Sequence, residues 1–168
     1  MNLFTDIYES PVGPLQMISD DRNLCLLKYF RNNKTEEYIS SKISGFNIIN
    51  KSNQVIRDAS KQLNEYFSRK RKIFDISLSF LYGTAFQKKV WKNLSSIKYG
   101  ETVSYMDVAN LIDNPKSYRA VGNANNKNPI SIIIPCHRVI ASDGSLGGYG
   151  GGLSSKKKLL DLESKISI

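Results

Sequence analysis

The first thirty residues alternate short apolar runs with turn residues, a pattern that is typical of antiparallel strands. Pro11 to Pro14 and residues 20–23 (DDRN) are turn clusters that separate the apolar runs, so the segment predicts a hairpin or meander. Leu24 to Phe30 (LCLLKYF) is mostly apolar and has the length of a strand. We expect a buried strand there, with Cys25 as a structural residue of the core.

A helical pattern follows at residues 54–67 (QVIRDASKQLNEYF). Its apolar residues recur at the spacing of one helical face: Ile56, Ala59, Leu63, Tyr66 and Phe67. The pattern therefore predicts one helix that packs on a small sheet. The basic cluster at 69–72, directly after this helix, is interpreted as a solvated turn, with phosphate binding as the alternative.

From Gly83 onward the chain changes to short helical patterns with capping signals. Residues 84–87 form a T-x-x-Q capping box. An apolar stripe at helical spacing follows it: Phe86, Val90, Trp91, Leu94 and Ile97. Ser104 and Asp107 predict the start of a second helix, which residues 113–115 end. The inner face of that helix is predicted to consist of Val108, Ala109, Leu111 and Ile112.

A third short helix is predicted from about residue 116 to 126, where Arg119 precedes the small residues Ala120 and Gly122. Two short helices joined by a tight turn are the arrangement of a helix-turn-helix, although any pair of helices at a corner gives the same pattern. A further helix is predicted from Lys156 to Ile166. The second half of the chain is therefore expected to be mainly helical.

Composition and charge narrow the class of protein. The 168 residues are 40% hydrophobic and 23% charged, with a formal net charge of +9. This composition excludes a disordered chain, a collagen and a coiled coil, and no apolar run approaches the roughly 18 residues that cross a bilayer. We expect a soluble, cytoplasmic protein without a membrane partner. Residues 84–168 carry 12 basic and 6 acidic side chains, against 12 and 9 in residues 1–83, so a nucleic-acid partner is expected to contact the second half.

The candidate chemistry lies at Cys136, which follows an apolar run (ISIII). Pro135 restricts the backbone on both of its sides, so the thiol is expected on a stiff turn. A thiol becomes a useful nucleophile when a base or a positive charge favours the thiolate, and His137 and Arg138 are the nearest candidates in sequence. A carboxylate that orients the histidine would complete a Cys–His–acid relay. The alternative is a buried structural cysteine beside a hydrogen-bonded histidine.

Residues 144–152 contain six glycines, which suit either a flexible linker or an ordered loop that approaches a ligand closely. Leu146 and Tyr149 interrupt the run and favour the ordered loop. The two cysteines, Cys25 and Cys136, lie far apart in the chain, and there is a single histidine. This gives no ligand cluster of the kind that binds zinc, so we expect no metal.

Together these motifs resemble the O6-alkylguanine-DNA alkyltransferases, also called methylated-DNA–protein-cysteine methyltransferases. The most specific part is the run Ile134 to Ile140 (IPCHRVI) with Arg119 to Gly122 (RAVG) upstream. The remaining matches are Gly83–Gln87, Val90–Trp91, Gly100–Tyr105, Asn128–Pro129, Gly147, Tyr149, Gly151–Leu153, Lys156, Leu159–Leu160 and Glu163. The resemblance covers about half of the chain strongly and extends weakly to Gln62–Phe67.

The resemblance implies DNA repair by direct damage reversal. An alkyl group passes irreversibly from O6 of guanine, and less readily from O4 of thymine, to Cys136, and the protein is consumed in a single turnover. His137 is implied to act through a bound water as the base, and Glu163 to orient its imidazole. Asn128 is implied to organise the turn, and Tyr105 to protonate the leaving guanine.

The resemblance also implies how DNA is bound. The alkyl group is out of reach in a stacked duplex, so the base must be flipped out. Arg119 is implied to fill the vacated stack, while Ala120 and Gly122 let the helix approach the minor groove. Tyr118, also on the DNA-binding face, is bulkier than the residue that many members carry there. The implied substrate pocket consists of Tyr105, Val139, Tyr149, Gly150, Ser131 and Lys156. No cofactor is implied, and the protein is expected to act as a monomer on double-stranded DNA.

We therefore expect an α/β protein of two domains. Residues 1–80 form a domain with a small sheet and a flanking helix, similar to ribonuclease H, and residues 81–168 form a mainly helical catalytic and DNA-binding domain. Two functions of other classes stay open, namely a non-catalytic helix-turn-helix DNA-binding protein and a Cys–His hydrolase that acts on small molecules. A hydrolase would turn over repeatedly, whereas an alkyltransferase would label itself once per molecule.

Overall fold

The computed structural model describes residues 1–30 and 33–164. The chain divides into two compact units, residues 1–82 and 83–168. The first unit is built on a four-stranded sheet, and the second is mainly helical, as the sequence predicts. Within the described residues, no helix is both long enough and apolar enough to cross a membrane.

The sheet of the first unit has the strand order β3-β2-β1-β4. Its strands are β1 (Asn2–Ser10), β2 (Gly13–Ser19), β3 (Leu24–Tyr29) and β4 (Asn47–Ile49). The first three form an antiparallel meander, which confirms the prediction for the first thirty residues. The short strand β4 pairs in parallel with β1. Cys25 is fully buried on β3, as expected of a structural cysteine.

The described residues of the first unit also form two helices, α1 (Asn33–Ile43) and α2 (Gln54–Phe67). The bounds of α2 are those predicted, and the Asn53 side chain caps it by accepting a hydrogen bond from the Ile56 N–H. Four of its predicted inner residues are buried, namely Ile56, Ala59, Leu63 and Tyr66, and Phe67 is half-buried. After α2, Arg71 pairs with Glu65 in a largely exposed turn, as expected of a solvated basic cluster.

The sequence pattern predicts neither α1 nor β4. Only Ile39 and Ile43 of α1 are buried, and the other residues of the helix are exposed or half-buried. These two isoleucines lie four residues apart, so they share one face of the helix. They join a core cluster with Leu3, Ile18 and Leu26 of the sheet. Packing against the sheet, and not a strong apolar stripe, therefore stabilises this helix.

The second unit contains four helices and two short strands among its described residues. The helices are α3 (Ala85–Leu94), α4 (Tyr105–Leu111), α5 (Tyr118–Asn126) and α6 (Leu153–Ser164). Both predicted capping boxes are present: Thr84 pairs reciprocally with Gln87, and Ser104 pairs with Asp107. Trp91 of α3 is fully buried, and its Nε1 donates to the carbonyl of Ala124 at 2.8 Å, which ties α3 to α5.

The helices α4 and α5 pack together with a 3-10 turn at Pro115–Ser117 between them, which is the arrangement of a helix-turn-helix. The α-helical part of the third predicted helix thus begins only at Tyr118. The prediction that Leu111 lies on the inner face is wrong, because this residue is 52% exposed. Successive helical residues are rotated by about 100°, which places Leu111 outside the face that Val108 and Ile112 share.

The last helix begins three residues earlier than predicted, at Leu153, and the predicted end at Ile166 lies outside the described residues. The strands β5 (Val103–Ser104) and β6 (Val139–Ile140) pair in parallel, with Val103 opposite Val139. This pairing places the first turn of α4 beside the segment that contains Cys136.

Candidate active site around Cys136

A tight turn, and not a strand, leads into Cys136. The Ile134 N–H donates to the carbonyl of Ile130 at 3.0 Å, and Ile132 has a φ of 71°, in the left-handed region that a β-branched residue rarely adopts. Asn128 spans this turn: its Nδ2 donates to the Ile134 carbonyl at 2.9 Å, and its Oδ1 accepts the Ile130 N–H at 3.0 Å. All of these residues are buried, so the side chain of Asn128 satisfies backbone groups that water does not reach.

A buried histidine follows the buried thiol on the 3-10 turn Cys136–Arg138. Nε2 of His137 lies 2.7 Å from Oε1 of Glu163 on α6. Because an ionised carboxylate can only accept, Nε2 carries the hydrogen and Nδ1 is an acceptor. Nδ1 is buried and has no hydrogen-bond partner among the described residues. The imidazole therefore has one unused basic nitrogen inside the fold.

Arg138 binds the same carboxylate. Its Nε and Nη2 donate to the two oxygens of Glu163 at 2.9 and 3.0 Å, a bidentate pairing. Its Nη1 donates to the carbonyl of Ile97 at 2.6 Å, and the guanidinium lies 5.8 Å from the centre of the Tyr99 ring. The sequence offers Arg138 as a positive charge for Cys136, whereas the structure pairs its guanidinium with Glu163.

Burial and charge act together on the ionisation of this cluster. Burial raises the pKa of Glu163, but the hydrogen bonds and charges of His137 and Arg138 outweigh it and hold this pKa well below its ordinary value. Burial lowers the pKa of His137, Glu163 opposes this effect, and the charges of Arg138 and Lys156 add to it. The net pKa of His137 is lowered, so near pH 7 Glu163 is ionised and His137 is neutral.

Tyr105, the first residue of α4, reaches this turn through the pairing of β5 with β6. A Cβ added at Gly147 would lie 2.6 Å from the Tyr105 hydroxyl oxygen, and one added at Gly122 would lie 3.8 Å from its ring. The ring thus lies between α5 and the glycine-rich loop. At position 147 only glycine leaves room for it. Burial and the charge of Cys136 both raise the pKa of Tyr105, so its hydroxyl stays protonated and can donate.

Lys156 ties the glycine-rich loop to the active-site turn. Its side chain is fully buried, and its Nζ donates to the carbonyls of Val139 at 2.6 Å and Gly148 at 3.2 Å, and also to that of Leu146. These bonds make the loop an ordered element. Burial lowers the pKa of Lys156 to about 8, and the charge of Cys136 acts in the opposite direction. A cation therefore interacts with the thiolate form of Cys136.

The residues predicted to contact DNA lie at the start of α5. Tyr118, Arg119 and Ala120 are exposed, while Gly122 is half-buried against Tyr105. The guanidinium of Arg119 lies 5.6 Å from the centre of the Tyr118 ring. The first turn of α5 thus presents a stacked aromatic and cationic pair to solvent.

The structure places the predicted catalytic residues around one turn, namely Cys136, His137, Glu163, Asn128 and Tyr105. Of the other predicted pocket residues, Val139 is buried on β6, Ser131 is buried within the turn, Tyr149 is half-buried and Gly150 is exposed. Their contact with a base stays a prediction. Among the described residues, no group of three or more His, Cys, Asp or Glu side chains is arranged to hold a metal ion.

Sequence reasoning missed one asparagine and one pairing. Asn125 is buried on α5, and its Nδ2 donates to the carbonyl of Cys136 at 3.2 Å. Its signal in the sequence is a polar side chain four residues after Val121, on the buried face of a predicted helix. The pairing of Arg138 with Glu163 spans 25 residues, and no local pattern indicates it.

Both halves of the chain match models of one protein family. Residues 3–80 match the ribonuclease-like domain of 6-O-methylguanine DNA methyltransferase, and residues 85–165 match its DNA binding domain. A methylated-DNA–protein-cysteine methyltransferase of Methanosarcina barkeri is 46% identical over 161 residues, which cover 96% of this chain and 97% of the relative.

Solved structures agree with this match. The O6-methylguanine methyltransferase of Mycobacterium tuberculosis superposes with a TM-score of 0.80 at 38% identity, over 96% of this chain and 93% of that one. The Mycobacterium tuberculosis OGT in complex with DNA gives a TM-score of 0.81 at 39% identity, over 98% of this chain and 93% of that one. These findings confirm the resemblance inferred from the sequence. With two family models that together span almost its whole length, the chain belongs to the 6-O-methylguanine DNA methyltransferase family.

Proposed function

We propose that the protein repairs alkylated DNA by direct reversal, transferring a methyl or larger alkyl group from O6 of guanine to Sγ of Cys136 in one irreversible turnover. The observation that carries this proposal is the unused Nδ1 of buried His137, which follows the thiol and is paired with ionised Glu163. The names of the relatives and the DNA complex of the Mycobacterium tuberculosis neighbour support the same substrate. O4-alkylthymine is the expected minor substrate.

The first step is removal of the thiol proton. His137 accepts this proton on Nδ1, through a bridging water as the family resemblance implies, while its Nε2–H stays hydrogen-bonded to Glu163. The ionised Glu163 stabilises the imidazolium that forms, and the ammonium group of Lys156 stabilises the thiolate. General base help of this kind contributes roughly 10²–10⁴-fold to a rate.

The thiolate then attacks the alkyl carbon attached to O6 of guanine. A carbon–sulfur bond forms as the carbon–oxygen bond breaks, and the electron pair of the broken bond passes to the base. Tyr105, whose hydroxyl retains its proton, protonates the base at N3, so neutral guanine departs. The thioether at Cys136 contains no good leaving group, which explains why the reaction occurs once per molecule.

We assign DNA binding to the exposed start of α5. An alkylated guanine must leave the stack to reach Cys136, which costs a few kcal/mol. Arg119 is exposed, and we propose that it fills the vacated space, while the small side chain of Ala120 permits close approach to the minor groove. The excess of basic residues in 84–168 favours binding that is independent of DNA sequence.

Residues 81–168 are proposed to form the catalytic and DNA-binding domain, and residues 1–80 the sheet domain. The proposed steps use groups of this chain and of the DNA and one water, and we therefore propose that the reaction needs no cofactor or metal. A thiol that must stay reduced fits a reducing compartment, and we therefore propose a cytoplasmic location. We expect a monomer, since all the proposed catalytic groups come from one chain.

Intact-protein mass spectrometry tests the proposal. The protein is incubated with excess duplex that contains one O6-methylguanine, followed by peptide mapping. Wild type is expected to gain one methyl in place of one hydrogen at Cys136, and Cys136→Ser is expected to gain nothing. Cys25→Ser is the matched control and is expected to react normally, because Cys25 is buried in the sheet and burial raises its pKa to about 11.

The other outcomes identify the rival functions. Tight binding to the lesion without a mass gain would leave a non-catalytic damage-recognition protein. Repeated turnover of a small ester without a need for DNA would favour the hydrolase. A protein that neither reacts with the duplex nor binds it would contradict the proposal.

A further inference from the structure

The carboxylate of Glu163 binds both His137 and Arg138, and the charges of Glu163 and Arg138 have opposite effects on His137. The carboxylate accepts from Nε2 of His137 at 2.7 Å and, through both oxygens, from Arg138 at 2.9 and 3.0 Å. The side chain of Glu163 is only 1% exposed and that of Arg138 is 7% exposed, so solvent screens these charges little. Arg138 neutralises part of the negative charge of Glu163. The carboxylate therefore favours protonation of His137 less strongly.

We propose that Arg138 is a positioning residue that balances the charge of Glu163, so that His137 rests as the neutral imidazole and can accept the proton of Cys136. This role rests on the alkyl-transfer function proposed above. It gives Glu163 two separate duties, since one carboxylate orients the imidazole and anchors the guanidinium. The buried cluster of His137, Arg138 and Glu163 then has no net charge before the reaction.

The alternative resting state shows why the balance matters. A buried carboxylate beside a histidine, with no other cation, favours a carboxylate–imidazolium pair, because an opposite charge stabilises the protonated ring. An imidazolium already carries protons on both nitrogens and cannot act as a base. With Arg138 in place, the guanidinium supplies the positive charge permanently, because arginine stays protonated in proteins.

Residues 97–100 contact both Arg138 and Glu163. Nη1 of Arg138 donates to the Ile97 carbonyl at 2.6 Å, and the Tyr99 ring lies 5.8 Å from the guanidinium. The Gly100 N–H also points to Oε2 of Glu163, at 3.3 Å. The segment 97–100 therefore fixes the guanidinium and the carboxylate together. The charged groups that act on His137 are Glu163 and Lys156 from α6 and Arg138 from its own turn.

The titration of His137 tests the inference directly, because the chain contains a single histidine and its imidazole signals need no assignment. Long-range ¹H–¹⁵N spectra of uniformly ¹⁵N-labelled full-length protein report the tautomer and the protonation state of the ring. Wild type is expected to show the neutral Nε2–H tautomer at pH 7 and to protonate only below the ordinary pH range of a histidine. This readout needs no alkylated DNA, so it is independent of the proposed function.

Arg138→Met removes the charge and keeps much of the side-chain volume. We expect the pKa of His137 to rise by about one unit or more, which is the usual effect of losing a neighbouring charge. The acid limb of the pH–rate profile for alkyl transfer should move to higher pH by the same amount. Arg138→Lys restores a cation and is expected to return the titration most of the way to wild type.

Arg71→Met is the matched control. Arg71 forms a comparable ion pair, with Nε 2.6 Å from Glu65, but in the first unit and 27% exposed. Its loss is expected to leave the His137 titration unchanged. Failure of wild type to transfer an alkyl group would contradict the proposed function and leave the titration to be judged separately.

Two results would overturn the role of Arg138. One is a wild-type His137 that is an imidazolium at pH 7, and the other is an Arg138→Met variant in which the pKa of His137 stays constant or falls. If Arg138→Met does not fold, wild type and Arg138→Lys decide instead. If Arg138→Lys titrates like wild type but loses activity by misplacing Glu163, the proposed charge balance is supported. If the His137 pKa of Arg138→Lys rises by a full unit, the proposal is contradicted.

Discussion

Replacing Asn128 with alanine is expected to lower the free energy of unfolding of the second unit by about 2–4 kcal/mol. The side chain makes two well-formed hydrogen bonds, to the Ile134 carbonyl at 2.9 Å and from the Ile130 N–H at 3.0 Å. The Ile134 carbonyl also accepts from the Cys136 N–H at 2.8 Å, so it keeps one partner in the variant. The Ile130 N–H loses its side-chain acceptor, and an unpaired buried donor costs about 1–3 kcal/mol. Adding about 1 kcal/mol for the other bond gives the expected range.

Urea unfolding, followed by the fluorescence of the only tryptophan, Trp91, measures this loss in the unit that contains the site. Asn110→Ala is the control, because Asn110 is exposed on α4 and its replacement should change stability by no more than about 0.5 kcal/mol. Asn128→Ala should also transfer alkyl groups more slowly at temperatures where it is fully folded. A loss below about 1 kcal/mol with an unchanged urea dependence would refute the hydrogen-bond reasoning.

Three further predictions concern DNA, the loop and pH. Arg119→Ala should slow the repair of duplex DNA much more than the reaction with free alkylated base. Tyr118→Ala should have a smaller effect of the same kind, because its ring packs on the guanidinium of Arg119. Equal slowing with both substrates, in stopped-time transfer assays, would argue against the proposal that Arg119 fills the vacated stack. Lys156→Met should expose the glycine-rich loop to limited proteolysis and slow transfer at pH 7, because the variant loses the bonds that hold the loop and the charge that interacts with the Cys136 thiolate. A resistant loop with a normal rate would contradict this role of Lys156. The stability of wild type should fall as pH decreases from 7 to 5, because the folded pKa of His137 lies below its unfolded value and the unfolded chain binds the proton first. The urea midpoint should depend less on pH in His137→Gln than in wild type. An equal dependence on pH would argue against His137 as the cause.

Local relations between residues made much of the fold predictable from the sequence. The bounds of α2 follow from five apolar positions on one helical face, and the capping boxes at Thr84 and Ser104 follow from residues three apart. Such signals work because the interacting groups are fixed by the helix itself. Where packing between distant segments decides the structure, as for α1 and β4, no comparable local signal exists, since β4 forms by pairing with β1.

The same distinction divides the site. The motif around Cys136 predicted the turn and the family, and the position of Asn128 followed from the resemblance. The pairing of Arg138 with Glu163 was not predictable, because Glu163 lies on a helix that reaches the turn only in the folded chain. Because Arg138 is close to Cys136 in the sequence, its charge was expected to act on the thiol. A motif therefore identified the reactive group, while the charge balance around it required the three-dimensional arrangement.

The segment around the thiol gives up stability that an ordinary turn would retain. Ile132 adopts a φ of 71°, a conformation that costs a β-branched residue about 1–3 kcal/mol. Two buried polar atoms, Nδ1 of His137 and Oδ1 of Asn125, have no hydrogen-bond partner among the described residues, although such groups are nearly always paired in folded proteins. Both belong to residues that flank Cys136 in space or in sequence, and Asn125 already uses its Nδ2 on the Cys136 carbonyl. The backbone of Ile132 and the open Nδ1 of His137 fit a site in which one nitrogen must take a proton and the thiol must stay in one place while it reacts.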